Sequence, residues 1–395
     1  MDFTSYIHAD SKNAEELEML LGSANDFANK NLLAFLQNDL PDGDLNAMST
    51  AIDEAYELGF IAYPYENAPG YELGVWGKYS DENGPLNSLM VLTEMAKVCG
   101  STAFVMHCQG VATSIVNYLN KNKEFPNKRI ALALQDASKM PYVETLENPS
   151  DNNIATIKTV LTKNDNVYVL NGKKKFVYMQ KDTDLLLIPA LLGDKLVITT
   201  LPAKAAGLKY EDVGQRTGIR FLELNHITFE NVMIAEDEIL ATDTALDVYK
   251  RAISMYWNGV SAIGVGIAQG GLIAARQYAS ERYQGGKQIE EHAAIQSLIA
   301  DSYARIEVAI NLLKSNTKID ASNVALKNAA ITKMHVMTEC TQSVTDCLQV
   351  FGGYGYMQDY RMEKRLRDIQ VLKIGAGSPI FLKKLIFDLN NLEQL

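Results

Sequence analysis

Residues Gln349–Asp368 read QVFGGYGYMQDYRMEKRLRD. Apolar residues at helical spacing run up to Phe351, and the cluster Gly352-Gly353-Tyr354-Gly355-Tyr356 then breaks the period. Glycine just past a helix supplies the left-handed cap that other residues resist. A short charged segment follows and closes on Arg367-Asp368. The glycines match neither GxGxxG after a strand nor GxxxxGK(S/T), so Rossmann and P-loop readings are unsupported.

Upstream of this stretch the helical period extends back to about residue 243. It forms segments near 245–282, 290–315 and 322–350, and a fourth runs from 361 to 392. A second glycine pair, Gly285-Gly286, follows Glu281-Arg282 at the end of the first of them. From about 129 to 240 the pattern changes to short β-branched runs such as NVYVLNG, KLVITTLP and LELNHITFENVMI. Asn171-Gly172 and Gly193-Asp194 punctuate them as turns. Strands without intervening helices predict an antiparallel sheet, not βαβ units. Residues 14–122 are again helical in period, which predicts helices, then a β domain, then a helical bundle.

The chain has 395 residues, enough for two or three packed units. Hydrophobic residues make up 47% and charged residues 22%, an ordinary globular balance. The formal charge of -11 argues against a nucleic-acid partner, because a phosphate backbone needs a basic surface. Cys99, Cys108, Cys340 and Cys347 form no CxxC pair and have no His at metal-ligand spacing, so they read as buried thiols with no metal site. The N-terminus lacks a basic stretch followed by an apolar one. No apolar run approaches the roughly 18 residues of a membrane span. These features predict a cytoplasmic protein.

The 349–368 stretch resembles the C-terminal signature of the acyl-CoA dehydrogenase superfamily, Q-x-x-G-G-x-G-Y followed by a short charged helix ending in R-D. Three further stretches are similar to other segments of that family, in the same order. VYVLNGKKKFVY resembles a β-domain hairpin. GQRTGIRFLELNHITFENVMIAEDEIL resembles the strand pair that closes that domain. ARQYASERYQGGKQIEEHAAIQSLIADSYARIEVA resembles the segment after the first long C-terminal helix. The resemblance implies an α+β fold: an N-terminal helical domain over 1–125, a middle antiparallel β-barrel or sheet domain over 126–241, and a C-terminal four-helix bundle over 242–395. It also implies FAD held between subunits of a homotetramer, or of a dimer built on the same pairing.

Carried over residue by residue, the resemblance places Arg282 on the FAD pyrophosphate of a neighbouring subunit, a task that suits its charge and bidentate fork. Gln349 and the backbone of Gly352 and Gly353 take the adenosine side. Phe176 stands beside the flavin ring, Tyr178 takes the place of a Thr or Ser two residues on, and Ser378 stands where a hydroxyl contacts FAD. Gln135 echoes the start of a flavin-side loop that here reads LQDASKMPYVETLENPSDN. For Arg282 a surface ion pair with Glu281 or Glu290 is the competing reading. For Gln349 it is a helix-end cap.

The same resemblance implies a catalytic carboxylate in the run I-Y-E-G-T-S. Here that run is VLKIGAGSPI, with Ala376 in place of the Glu. An alternative position for the base, on the first long C-terminal helix, is Tyr256, and Trp257 stands where an Arg often meets CoA. Three side chains are candidates for a relocated acid or base. Tyr256, with a phenol pKa near 10, suits a proton donor, or else simply packs in the helix. His107 lies on a helix that lines the family's substrate cavity, or is a satisfied core histidine. Asp136 lies in the altered loop, or is a surface carboxylate. Lys173-Lys174-Lys175 reads as a solvated hairpin tip.

Three functions follow. The first is an FAD-dependent acyl-CoA oxidoreductase that forms or reduces a carbon–carbon double bond on an atypical thioester, with electron-transferring flavoprotein as partner. The second is other flavin chemistry on the same scaffold, hydroxylation or elimination. The third is a non-catalytic subunit paired with an active relative.

Overall fold

The computed structural model describes residues 14–36, 45–61, 84–119, 125, 128–136, 157–164, 167–316, 319–375 and 377–392. The N-terminal helices are α1 (Ala14–Phe27), α2 (Leu33–Leu36), α3 (Leu45–Glu57), α4 (Gly84–Val98) and α5 (Gly100–Leu119), with a π turn over Ala28–Leu32 between the first two. Strands β1 (Ile130–Leu132) to β8 (Ile239–Ala241) follow. Between them come β2 (Val160–Asn164), β3 (Val167–Met179), β4 (Leu185–Leu192), β5 (Lys195–Pro202), β6 (Leu208–Asp212) and β7 (Glu223–Ile234). The C-terminal part holds α6 (Ala245–Glu281), a two-residue pair β9 (Tyr283–Gln284) and β10 (Lys287–Gln288), then α7 (Ala293–Ser315), α8 (Asn323–Val350), α9 (Met362–Ile374) and α10 (Pro379–Leu392). The expected helical–β–helical order is therefore present, and the last helical segment is two helices, not one.

The sheet runs β6-β7-β3-β2-β4-β5-β8, with β1 beside β4. It is mixed: β1 and β2 pair with β4 in parallel, and the remaining pairings are antiparallel. Gly193 makes the β4–β5 turn with φ of 64°, a region glycine enters without strain. The expected Asn171-Gly172 turn is not one. Both residues lie inside the 13-residue β3, at an irregularity in its pairing with β7. A Cβ on Gly172 would come within 2.6 Å of the Thr159 backbone, so the glycine permits close strand approach.

Alternation along β3 also corrects the lysine run. Lys174 is fully buried between its two outward-facing neighbours.

One hydrophobic core joins the N-terminal helices to the C-terminal ones, and a second, smaller core fills the sheet. Buried apolar area contributes about 25 cal/mol per Å², so the shared core is what fixes α5 against α6. Of the described helices α6 alone is long and apolar enough to cross a membrane, and 89% of its apolar window is buried within the protein, as in a core helix. The Asp368 carboxylate ties the parts together. It accepts from Ser101 Oγ at 2.9 Å and from the Ile219 amide at 2.8 Å, and pairs with Lys364. Those partners belong to α5, to the segment before β7, and to α9.

Candidate functional site

Phe104, His107 and Cys108 share one face of α5, at i, i+3 and i+4. Against that face stand Tyr256 of α6 and Tyr178 of β3. The Phe104 ring meets Tyr178 edge-on at 5.0 Å and Tyr256 at 6.2 Å, and the His107 and Tyr256 rings are 5.3 Å apart. Three parts of the fold thus converge on one aromatic-walled cluster.

Burial sets the protonation of every member. His107 falls to about 4 because burial disfavours its cation, partly opposed by its bond to the Tyr256 carbonyl. That bond, 2.9 Å from Nε2, requires the proton on Nε2, since a carbonyl only accepts. Desolvation pushes Tyr178 up to about 12, and Cys108 and Tyr256 well above their ordinary values. At neutral pH the cluster is uncharged: a neutral imidazole, a thiol and two phenols. It donates hydrogen bonds, and its phenols hold protons. Cys108 is a member that a default reading as a core thiol overlooks; its helical register with Phe104 is the signal that would have found it.

Phe176 sits at a bulge of β3, between the Lys174 and Val177 registers with β7. Its φ of 54° is rare for a bulky residue and turns the ring outward, 46% exposed, edge-on to His226 at 4.9 Å. Such strain is held only where the surroundings over-determine it, and it clusters at ligand clamps. The Phe176 amide donates to His226 Nδ1 at 3.2 Å. Gln135 is half-buried, and its carbonyl accepts from the Lys175 amide at 2.8 Å.

Asp136, one residue on, is no surface carboxylate and is withdrawn as a candidate acid or base. It is fully buried and 2.7 Å from Lys174 Nζ. It also accepts from Thr159 Oγ1 at 2.8 Å and from the Lys158 and Thr159 amides at 2.8 and 3.3 Å. Lys174 completes its own set on the Pro189 carbonyl at 2.7 Å. A carboxylate so committed has a structural role, because leaving either charge unpaired in the interior is costly.

A second group lies at the C-terminal end of α6. Arg282 caps that helix, and its guanidinium lies 5.5 Å over the Tyr354 ring. Its Nε is buried with no hydrogen-bond partner. Neither competing ion pair is formed: Glu281 instead accepts from Gln277 at 3.1 Å. Behind the arginine, Tyr278 stacks on Phe351 at 4.5 Å. Gln349 is exposed on the last turn of α8. Gly352 has φ of 56°, and a Cβ on Gly352 or Gly353 would meet no atom within 4 Å. An open glycine shelf beside an arginine with an unsatisfied donor and exposed aromatic rings fits an anionic diphosphate joined to a planar base. The donor set therefore suits the adenosine-diphosphate half of FAD.

The third group is the connection from α9 to α10. Ala376 lies outside the described residues. Ser378 accepts from the Phe381 amide at 3.4 Å, so its hydroxyl caps α10. Trp257 is fully buried beside this connection, with its ring 6.2 Å from Phe381. The buried amine of Lys333, which sequence reasoning missed, donates to the carbonyls of Gly375 and Gly377. An apolar helical stripe interrupted by one lysine, with Ala329, Ala330, Val336 and Met337 around it, was the available signal. Among the described residues no three His, Cys, Asp or Glu side chains gather as metal ligands.

A mixed sheet between helices that share one core, with an aromatic-walled cluster where they meet, describes one class of three-part scaffold. The profile of the family described as "Acyl-CoA dehydrogenase, C-terminal domain" matches residues 247–386. The short-chain specific acyl-CoA dehydrogenase of Clostridium acetobutylicum is 23% identical over 88% of this chain and 94% of its own length. The caffeyl-CoA reductase-Etf complex subunit CarC of Acetobacterium woodii is 24% identical over 92% of this chain and 95% of its own length. The structure of butyryl-CoA dehydrogenase from Megasphaera elsdenii superimposes with a TM-score of 0.70 at 21% identity, covering 95% and 98% of the two chains. Residues 247–386 thus match the acyl-CoA dehydrogenase C-terminal domain family, and the chain is similar over most of its length to acyl-CoA dehydrogenases and reductases.

Proposed function

We propose that this protein is an FAD-dependent acyl-CoA oxidoreductase that introduces or reduces an α,β double bond in an atypical acyl-CoA thioester. The observation that carries the reading is the neutral aromatic cluster of Phe104, His107, Cys108, Tyr178 and Tyr256, where three parts of a shared family scaffold meet. Bound FAD supplies hydride transfer at the β carbon. Phe176, Tyr178, Gln135 and Ser378 stand for its ring end, and Arg282, Gln349, Gly352 and Gly353 for its adenosine end. On the family reading the cofactor is shared between copies in a homotetramer or in a dimer.

Tyr256 is the proton carrier of this reading. Burial keeps its phenol protonated at neutral pH, so it gives a proton to the α carbon in the reductive direction more readily than it removes one. His107 holds the backbone of that turn through the Tyr256 carbonyl and excludes water. The ring faces gathered here are apolar and aromatic, which suits an unsaturated acyl group. An electron-transferring flavoprotein fits as redox partner, as the name of the Acetobacterium relative says of that protein. Four free thiols agree with a cytoplasmic setting. The N-terminal helical part ends at 125 and the β part at 241.

The test is to denature the purified protein and identify the released cofactor. About one FAD per chain is expected; a colourless protein, or release of a different cofactor, would contradict the reading.

A further inference from the structure

Lys333 lies in the middle of α8, fully buried among Ala329, Ala330, Val336 and Met337. Its ammonium has no acidic partner among the described residues. It donates instead to two backbone carbonyls, Gly375 and Gly377, the latter at 2.8 Å. Those two residues bracket the turn between α9 and α10. The turn is pinned from the other side as well. Gly377 has φ of 136°, and a Cβ there would fall 2.9 Å from Trp257 Nε1 and 3.3 Å from Lys333 Nζ. Lysine and tryptophan thus press on the same glycine, and only a residue without a side chain fits between them.

A buried cation without a counter-charge is expensive. Burial alone pulls this amine from 10.5 down to about 7. Packing does not demand it, since a methionine would fill the same volume at no electrostatic cost. What an apolar residue could not do is gather two carbonyls from one turn. The turn leads directly into Ser378 and α10, and it covers Trp257, the neighbour of Tyr256.

We propose that Lys333 is a positioning residue of the active site, clamping Gly375 at the end of α9 and Gly377 ahead of α10 through their backbone carbonyls. This rests on the flavoenzyme reading for its catalytic consequence, and on the geometry alone for the clamp. Lys333 is the side chain from outside this connection that holds the Gly375 and Gly377 carbonyls together.

The experiment compares wild type with Lys333→Met, which removes every donor, and Lys333→Gln, which keeps a neutral one. Amide hydrogen exchange is followed in a peptide covering residues 373–382, together with the melting temperature and the rate at which a thioester substrate and bound flavin exchange electrons. The methionine variant is expected to exchange about tenfold or more faster in that peptide alone, with melting no lower than wild type. Its electron-exchange rate is expected to fall about tenfold or more with KM little changed, and the glutamine variant to lie between. Unchanged exchange in the peptide would overturn the clamp. Faster exchange throughout α8 with a lower melting temperature would reduce Lys333 to a packing residue, and local loosening with an unchanged rate would remove its active-site role. Exchange is read whether or not flavin is bound, so a protein without flavin would defeat the functional reading and leave the clamp to stand or fall separately.

Discussion

The His107 imidazole lies directly over Gly259. A methyl group at position 259 would meet its Cε1 at 2.1 Å and its Nδ1 at 2.4 Å. One missing side chain on α6 therefore lets a ring from α5 enter the helix interface and reach the Tyr256 carbonyl.

Gly259→Ala consequently sets two effects against each other. Alanine gains up to about 1 kcal/mol of helix propensity. Overpacking costs about 1–3 kcal/mol, and at this separation the ring must move. Urea denaturation is expected to show net destabilisation, largely recovered when His107→Ala is added. A stable single variant would mean that α5 and α6 separate freely.

His107 also predicts a pH dependence. Its folded value of about 4 is below the unfolded 6.5, so between these pH values the unfolded chain binds the extra proton. Stability should therefore rise with pH from about 4 to 6.5 and gain nothing more from this group above that. His107→Phe should flatten the slope, by roughly 3 kcal/mol across the window. An equal slope in both proteins would show that the ring is hydrated.

Asp136→Asn leaves Lys174 buried without its counter-charge, and a loss of about 3–5 kcal/mol is expected. Adding Lys174→Met should return most of it, because the stranded buried cation is then gone and the amide oxygen at 136 can still accept from its neighbours. Thermal unfolding of the three variants decides this. A mild single variant would mean that water reaches the pair.

Arg282→Ala should cut the flavin absorbance per chain severalfold while leaving far-ultraviolet circular dichroism unchanged. Its buried Nε is unpartnered, so removing it strands no protein acceptor. Full flavin content in the variant would remove the arginine from the cofactor site.

The helical–β–helical order was legible because periods of 3.6 and 2 change sharply near 129 and 243. The long C-terminal signature was legible for the same reason that it is specific: its glycines and charges hold fixed spacings. Asn171-Gly172 misled because a strand bulge and a hairpin turn use the same residues, and only pairing with β7 and close approach to Thr159 separate them. The lysine run misled similarly. Lys174 turns inward by simple alternation, but its partner Asp136 is 38 positions away, and no local pattern announces such a pair. Lys333 was hidden by the habit of treating lysine in a helix as solvated. His107, Tyr178 and Tyr256 were each singled out in the sequence, in separate roles, whereas their convergence and common neutrality follow from packing and burial and needed the structure.

The most direct test of the account is an anaerobic visible spectrum of the purified protein, in its oxidised and chemically reduced forms, mixed with matched saturated and α,β-unsaturated acyl-CoAs. The account predicts flavin bands that bleach with a saturated thioester or return when the reduced form meets its unsaturated counterpart, with the second reaction faster. Bound flavin that no thioester pair reduces or reoxidises would contradict it.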